Sequence, residues 1–365
     1  METIFVHGAP SEYVLEAGVL NRLEEKLLER GFQKVLIVHG EKSWSATEPY
    51  WPSLNKIEYT RYQYHGENSL SQIDTVATLT SEGSYDAIIG VGGGKVLDLV
   101  KSAGHVSHKP TVLIPTLASN CSPWTPVSVI YDDAGTFNRF DIYPVGASLV
   151  LIEPEILLHG PLDMFVAGIA DTLAKWYEAD VQLAHIQNKS VPLEICYFTA
   201  KQCKEILLQY SEGAVEAANC GTLNDDFIKV VETIIMLGGM VGGFGDHYGR
   251  VAGAHAVHNG LTVLEETHHA LHGEKVAYGI LVQLVLENKW EEIKSILPFY
   301  QTLGLPLSLK NLGVNQVTEE MMVKVAEKTV IPEESIHVLP GEMTADVVSK
   351  AIKDLEEYIH LVLCA

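Results

Sequence analysis

Cysteine is scarce and shows no pairing pattern. The chain holds five, Cys121, Cys196, Cys203, Cys220 and Cys364, and none belongs to a C-x-x-C. An odd, scattered set argues against a disulfide framework and fits a reducing compartment. Basic residues are also few: 25 Lys and Arg stand against 47 Asp and Glu, a net charge of −22. Nucleic acid demands a basic face, so no nucleic-acid partner is expected. No uninterrupted apolar run reaches the ~20 residues that cross a bilayer. The opening METIFVHGAPSEY has no basic stretch ahead of an apolar core, so no secretory leader is expected. A cytoplasmic protein without a membrane partner is the reading. Repeats and low-complexity tracts are absent as well. What remains is ordinary globular material, 47% hydrophobic and 20% charged over 365 residues, a length suited to two domains.

The first half alternates strand-like and helix-like segments. TIFVH (residues 3–7), KVLIVHG (34–40), IEYTRYQY (57–64), DAIIGVGGG (86–94), PTVLIPT (110–116) and SLVLIEP (148–154) read as strands. Residues 13–30 and 69–83, and the VLDLVKSAGH run, read as helices between them. VSVIYDD and FNRFDIYP, joined by Ala134-Gly135-Thr136, read as a β-hairpin. Such alternation predicts a parallel sheet with helices on its faces. After Pro161 strand signals nearly vanish. The expected fold is an α/β, Rossmann-like domain over residues 1–160 and an all-α domain over residues 161–365. Gly238-Gly239 and Gly242-Gly243 interrupt an apolar helix, which implies close packing or a bend.

Two motifs carry chemistry. Gly90-Val91-Gly92-Gly93-Gly94-Lys95 joins a strand to a helix. Glycines there let backbone approach a phosphate, and the helix start offers free N–H groups. The run is neither a Walker A motif, since Val96 stands where Ser or Thr is needed, nor a clean G-x-G-x-x-G. The plainer reading is a tight turn that binds nothing. The second motif is a histidine cluster: five of the fifteen histidines fall within residues 253–279, namely His255, His258, His268, His269 and His272. Spacing of three puts His255 and His258 on one helix face. Neutral imidazole suits borderline metals such as zinc, although no H-E-x-x-H is present. A polar helix seam is the plainer alternative.

The chain resembles the iron-containing alcohol dehydrogenase superfamily, in its glycerol dehydrogenase-like branch. The residues that carry the likeness are GVGGGKVLDLVKSAGH (90–105), IPTLAS (114–119), SVIYDDAGTF (128–137), AGIADTLAKWYEA (167–179), GAHAVHNGLT (253–262) and HHALHGEKVAYG (268–279). The resemblance implies a dehydroquinate synthase-like architecture with the active site in the cleft between the domains. It implies a metal, zinc or another divalent ion such as iron, on Asp171, His255 and His272, with His258 as a proton-relaying pocket residue. It implies a nicotinamide dinucleotide on Gly92, Gly93, Gly94, Lys95, Asp98, Thr116, Ser119, Thr125, Val127 and Tyr131. Glu41 favours NAD, since an acid there repels a 2′-phosphate; His39 and Lys42 leave NADP open. A homo-oligomer is implied too.

The substrate side departs from that branch. Cys121 stands where the branch typically carries an Asp that binds polyol hydroxyls, and Asp246-His247-Tyr248-Gly249-Arg250 replaces an F-E-S-G-G-like run. Cys121, His247 and Arg250 are therefore the candidate substrate-binding residues, and Arg is a natural clamp for a carboxylate. The expected function is hydride transfer between NAD(P) and a small alcohol or polyol. The alternatives are a 2-hydroxycarboxylate dehydrogenase acting on a hydroxy acid and, in another class, a non-catalytic NAD- or metal-binding protein.

Overall fold

Short runs rich in Val, Ile and Leu, each ended by a glycine, a proline or a helix start, fold into parallel strands. The computed structural model describes residues 3–364. Its strands are β1 (Tyr13–Leu15), β2 (Lys34–His39), β3 (Glu58–Gln63), β4 (Ala87–Gly92), β5 (Thr111–Pro115), β6 (Val127–Tyr131), β7 (Phe137–Ile142) and β8 (Leu149–Ile152). Helices α1 (Leu23–Glu29), α2 (Glu41–Thr47), α3 (Leu70–Glu82) and α4 (Gly94–Ser107) connect the early strands. Six strands form one parallel sheet in the order β1-β8-β5-β4-β2-β3, and β6 and β7 pair antiparallel as a separate ribbon. β4, β5 and β8 are buried along their whole length, and their apolar sequences match a sheet covered on both faces. β3, with the exposed sequence EYTRYQ, closes one edge. The winding direction reverses between β2 and β4. The carboxyl ends of strands at such a reversal form a ligand crevice.

TIFVH forms no strand. Its backbone docks on the helical half instead, where the His7 N–H donates to the Gly243 carbonyl at 2.8 Å. The first strand is β1, three residues that sequence periodicity had merged into a helix over 13–30. Gly18, at φ 79° in the left-handed region, separates β1 from the 3-10 turn Val19–Arg22 that leads into α1.

Beyond β8 the described chain is helical: α5 (Pro154–Leu158), α6 (Leu162–Leu183), α7 (Val191–Cys220), α8 (Asp225–Glu232), α9 (Gly238–Gly245), α10 (Gly253–Leu261), α11 (His272–Leu286), α12 (Trp290–Leu303), α13 (Glu319–Thr329) and α14 (Ala345–Cys364). One apolar core runs from Leu36, Ile88 and Val150 of the sheet to Ile169, Leu173, Val257 and Ile280 of the helices. The change at residue 160 is thus one of secondary structure, with no break in the core. A π-helical turn, Thr233–Leu237, joins α8 to α9. The continuous segment Asp225–Gly249 is apolar and long enough to cross a membrane by composition, with 56% of its most apolar window buried in the fold. Its glycines mark close contacts: a Cβ on Gly239 would lie 2.4 Å from the Trp124 ring, and one on Gly243 would lie 2.5 Å from the His7 carbonyl.

Three helices that carry candidate ligands meet backbone to backbone. A Cβ on Gly273 of α11 would fall 1.9 Å from the Ala167 carbonyl of α6, and one on Gly279 would fall 2.2 Å from the Ala254 carbonyl of α10. Neither backbone has room to yield, so Gly273→Ala is expected to destabilise the protein by ~1–3 kcal/mol through overpacking. Denaturant unfolding checks this, and an unchanged midpoint would show that α6 and α11 part without cost.

Candidate metal and dinucleotide site

Asp171, His255 and His272 converge from α6, α10 and the first residue of α11. Asp171 Oδ1 lies 3.2 Å from His255 Nε2 and 3.3 Å from His272 Nε2, and one donor atom from each residue fits within 4.8 Å of the others. Asp171 is 6% exposed, yet its Oδ1 accepts no hydrogen bond. A buried carboxylate oxygen without a donor is costly unless a cation meets it. Burial works against a charged Asp171, but Lys175, His255 and His272 outweigh it and hold the carboxyl well below its ordinary range. Two imidazoles and a carboxylate are a suitable ligand set for zinc with a position left open, so the residues fit the metal that the resemblance implies.

The histidine rings are fixed from behind. Glu178 accepts from His255 Nδ1 at 2.8 Å, leaving Nε2 to face Asp171. The same carboxylate also accepts from the backbone N–H groups of Ala252 (2.7 Å) and His255 (3.0 Å), capping α10 from another helix. Burial opposes a charged His255, but Glu178 and Asp171 push its pKa up to about 9. On the other side His272 Nδ1 meets His258 Nε2 at 3.0 Å, His258 Nδ1 meets Asn259 Oδ1 at 2.9 Å, and the Asn259 amide donates to both Glu334 oxygens. One consistent set of protons runs along this chain: His272 donates to His258, and His258 donates to Asn259. His258 is half-buried, and burial together with the charge of His272 and His255 keeps it neutral, well below the usual histidine range. His268 and His269 stay outside the cluster; His268 Nε2 bonds the Thr262 carbonyl.

The glycine turn lies at the carboxyl end of β4. Gly93 is the N-cap of α4 and offers no side-chain cap, so the first N–H groups of a 14-residue helix stay open. A Cβ on Gly92 would press on Val96 at 2.7 Å, and one on Gly93 on Leu117 at 2.9 Å. Thr116 N–H ties the end of β5 to the Gly92 carbonyl at 3.0 Å. Lys95 borders the turn, 2.6 Å from Glu67 and above the Tyr131 ring. Glu41 and Lys42 are exposed on the first turn of α2. His39 turns inward against Trp44 and is held low by burial, so it adds no cation at the crevice. Arg61 stacks over Trp44 at 4.6 Å and brings one that the sequence did not signal.

Asp98 differs from its expected cofactor role. Its carboxylate points inward and accepts from Ser122 Oγ (2.6 Å) and Val129 N–H (3.0 Å), with Lys101 at 2.9 Å. Lys101 in turn donates to the Thr125, Val127 and Ser122 carbonyls. This buried pair braces the segment that carries Thr125, Val127 and Tyr131. Ser119 abuts the metal helix: a Cβ on Gly168 of α6 would lie 2.3 Å from the Ala118 carbonyl and 2.8 Å from Ser119 Cα. The loop after β5 and the Asp171 helix are therefore in backbone contact.

Of the substrate candidates, Cys121 and Arg250 are partly exposed and close enough to influence one another electrostatically. Arg250 pairs with Asp246 at 3.6 Å. His247 is exposed, with its ring 4.2 Å from that of Tyr248. Glu178 and Lys175 were missed in the sequence. The available signal was position, since both lie on the Asp171 face of α6, at i+7 and i+4.

The iron-containing alcohol dehydrogenase family profile matches residues 10–154. Hydroxycarboxylate dehydrogenase A of Escherichia coli (strain K12) is 37% identical over 350 residues, 96% of each chain. Glycerol dehydrogenase of Thermotoga maritima is 35% identical over 354 residues, again 96% of each chain. Among solved structures, glycerol dehydrogenase from Schizosaccharomyces pombe superposes with a TM-score of 0.86 at 28% identity, covering 98% of this chain and 91% of that one.

Two outcomes are expected. Glu178→Gln keeps the shape but removes the charge behind His255, and divalent metal should bind ~10–100-fold more weakly by calorimetry; unchanged affinity would reduce Glu178 to a helix cap. Proton release is the second. With its pKa raised from 6.5 to about 9, metal-free His255 keeps its proton across neutral pH. An incoming ion must displace that proton, so affinity should climb as pH approaches 9 and level above it, with about one proton released per ion in between. Titration in buffers of different ionisation enthalpy counts that proton.

Proposed function

The chain belongs to the iron-containing alcohol dehydrogenase family, whose members act on CH–OH groups with a divalent metal and a nicotinamide dinucleotide, and we propose how its residues divide that work. Asp171, His255 and His272 hold the ion, for which zinc is our reading and iron the alternative. The observation that carries this is the buried Asp171 Oδ1, held between two imidazole nitrogens at 3.2 and 3.3 Å with no hydrogen bond of good geometry. An ion held there supplies Lewis acidity to the substrate oxygen. Glu178 and His258 fix the two rings so that each presents Nε2. His258, neutral and next to the ligand His272, is the residue we assign to proton transfer by way of solvent. Gly92, Gly93 and Gly94, with the open end of α4, bind the pyrophosphate; Lys95, Thr116, Ser119, Thr125, Val127 and Tyr131 line the rest of the dinucleotide. Glu41 favours NAD, while Lys42 and Arg61 leave NADP as a second cofactor.

The substrate is a small alcohol or polyol, and the reaction is that of a glycerol dehydrogenase-like enzyme in the cytoplasm, assembled as a homo-oligomer. A second reading, a 2-hydroxycarboxylate dehydrogenase, has one specific observation in its favour: a thiol, Cys121, with Lys175 and Arg250 beside it.

A steady-state screen of glycerol, 1,2-propanediol and 2-hydroxy acids with NAD and NADP tests this. Chelation and His272→Ala should each remove metal and nearly all turnover while the circular dichroism spectrum stays native. Full activity in metal-free protein would overturn the assignment.

A further inference from the structure

One face of α6 carries more charge than a metal site needs. Asp171, Lys175, Glu178 and Gln182 recur at steps of three and four and so share one face. Asp171 and Glu178 serve the histidines. Gln182 spans to the Tyr248 and Val251 carbonyls at 3.2 Å each. Lys175 lies between the two carboxylates, yet its one hydrogen bond among the described residues is a 3.3 Å contact with the Arg250 carbonyl. An ammonium has three N–H donors, so most of its donor capacity is unspent. Lys175, Cys121 and Arg250 are each partly exposed, so they border open space rather than core. The charge on Lys175 is felt at Cys121 as well as at Asp171 and Glu178, and the Arg250 guanidinium also reaches that thiol. At 3.6 Å, the contact of Arg250 with Asp246 is an ion pair without hydrogen-bond geometry. Two partly exposed cations with spare donors, joined through the Lys175–Arg250 carbonyl contact, therefore lie on the α6 face that carries Asp171.

Unspent donors give the occupant its chemistry. Lys175 Nζ and the Arg250 guanidinium offer N–H groups that an acceptor-only carboxylate takes up as charge-assisted hydrogen bonds, which a neutral polyol makes more weakly. We propose that Lys175, with Arg250 beside it, binds the carboxylate of a 2-hydroxy or 2-oxo acid and sets selectivity for charged over neutral alcohols. The inference rests on the metal-dependent dehydrogenase reading above and, within it, on the second of the two substrate readings. A purely structural Lys175 would instead balance Asp171 and Glu178 and hold the Arg250 loop.

Lys175→Met and Lys175→Arg separate the two roles. The first readout is the ratio of kcat/KM for lactate to that for 1,2-propanediol. It should fall about tenfold to a hundredfold in the Met variant, through KM, and be largely restored in the Arg variant. The second is calorimetric binding of 2-hydroxy-2-methylpropanoate, which has no carbinol hydrogen to lose, to metal-loaded and metal-stripped protein. Its Kd should rise about tenfold or more in the Met variant in both forms. Lys175→Gln replaces Met should that variant fail to fold. A parallel loss on both substrates with an unchanged ratio and Kd would make Lys175 structural and overturn the proposal. Wild type that oxidises the diol but neither binds nor oxidises the acids would overturn it while leaving the dehydrogenase reading intact. Wild type that oxidises nothing, yet binds 2-hydroxy-2-methylpropanoate through Lys175, would overturn the dehydrogenase reading and keep the anion site.

Discussion

A buried carboxylate oxygen that faces two imidazoles without a well-formed hydrogen bond is the constraint that organises the helical half of this protein. Asp171 Oδ1 is enclosed by α6 and by the Nε2 atoms of His255 and His272 at 3.2 and 3.3 Å, and none of the described N–H or O–H groups meets it in hydrogen-bond geometry. Desolvating a charge in this way is expensive, and proteins tolerate it where a cation is brought to meet it. The surroundings are arranged to that end. Glu178 turns His255 so that Nε2 faces Asp171, and the His258–Asn259–Glu334 chain does the same for His272. Each ligand is thus oriented by a partner whose remaining hydrogen bonds are themselves made, which is how metal sites hold tautomer and ring angle.

Such orientation requires α6, α10 and α11 to approach more closely than side chains normally allow. Gly273 and Gly279 make that possible, and Gly168 brings the loop after β5 against the same helix. The loop follows β5 at the carboxyl end of the sheet, so the helix that carries Asp171 also touches the strand ends beside the glycine turn. The buried Asp98–Lys101 pair then holds the following segment, residues 122–129, against α4. Metal cluster and glycine turn are consequently parts of one packed unit, consistent with an apolar core that continues from the sheet into the helices.

Much of this was legible in the sequence because it was local. The sheet strands from β2 onward are short apolar runs with turn residues at their ends, and the glycine turn and the histidine spacing read directly. Resemblance to a family joined Asp171 to His255 and His272 across the chain. What stayed hidden depends on neighbours distant in sequence. Glu178 shares the Asp171 face of α6, but its role appears only when α10 is laid against it. Asp98 occupies the helix that follows a phosphate turn, which suggests a ligand, but the pairing with Lys101 and Ser122 turns it inward. TIFVH has strand composition, yet its backbone docks on the helical half at Gly243 and not on the sheet, whereas β1 is too short to show a period. Arg61 looks like an ordinary surface cation until a tertiary contact places it on Trp44, and Lys175 until the burial of its α6 neighbours Asp171 and Glu178 is seen.

The central claim is that a divalent ion belongs beside Asp171 Oδ1. Anomalous diffraction from crystals of the full-length protein grown with zinc or cobalt tests it most directly. The account requires one dominant peak within bonding distance of Asp171 Oδ1, His255 Nε2 and His272 Nε2, with the Glu178 and His258 contacts preserved. A dominant peak elsewhere, or crystals that take up metal while the three ligands remain paired only with one another, would contradict it.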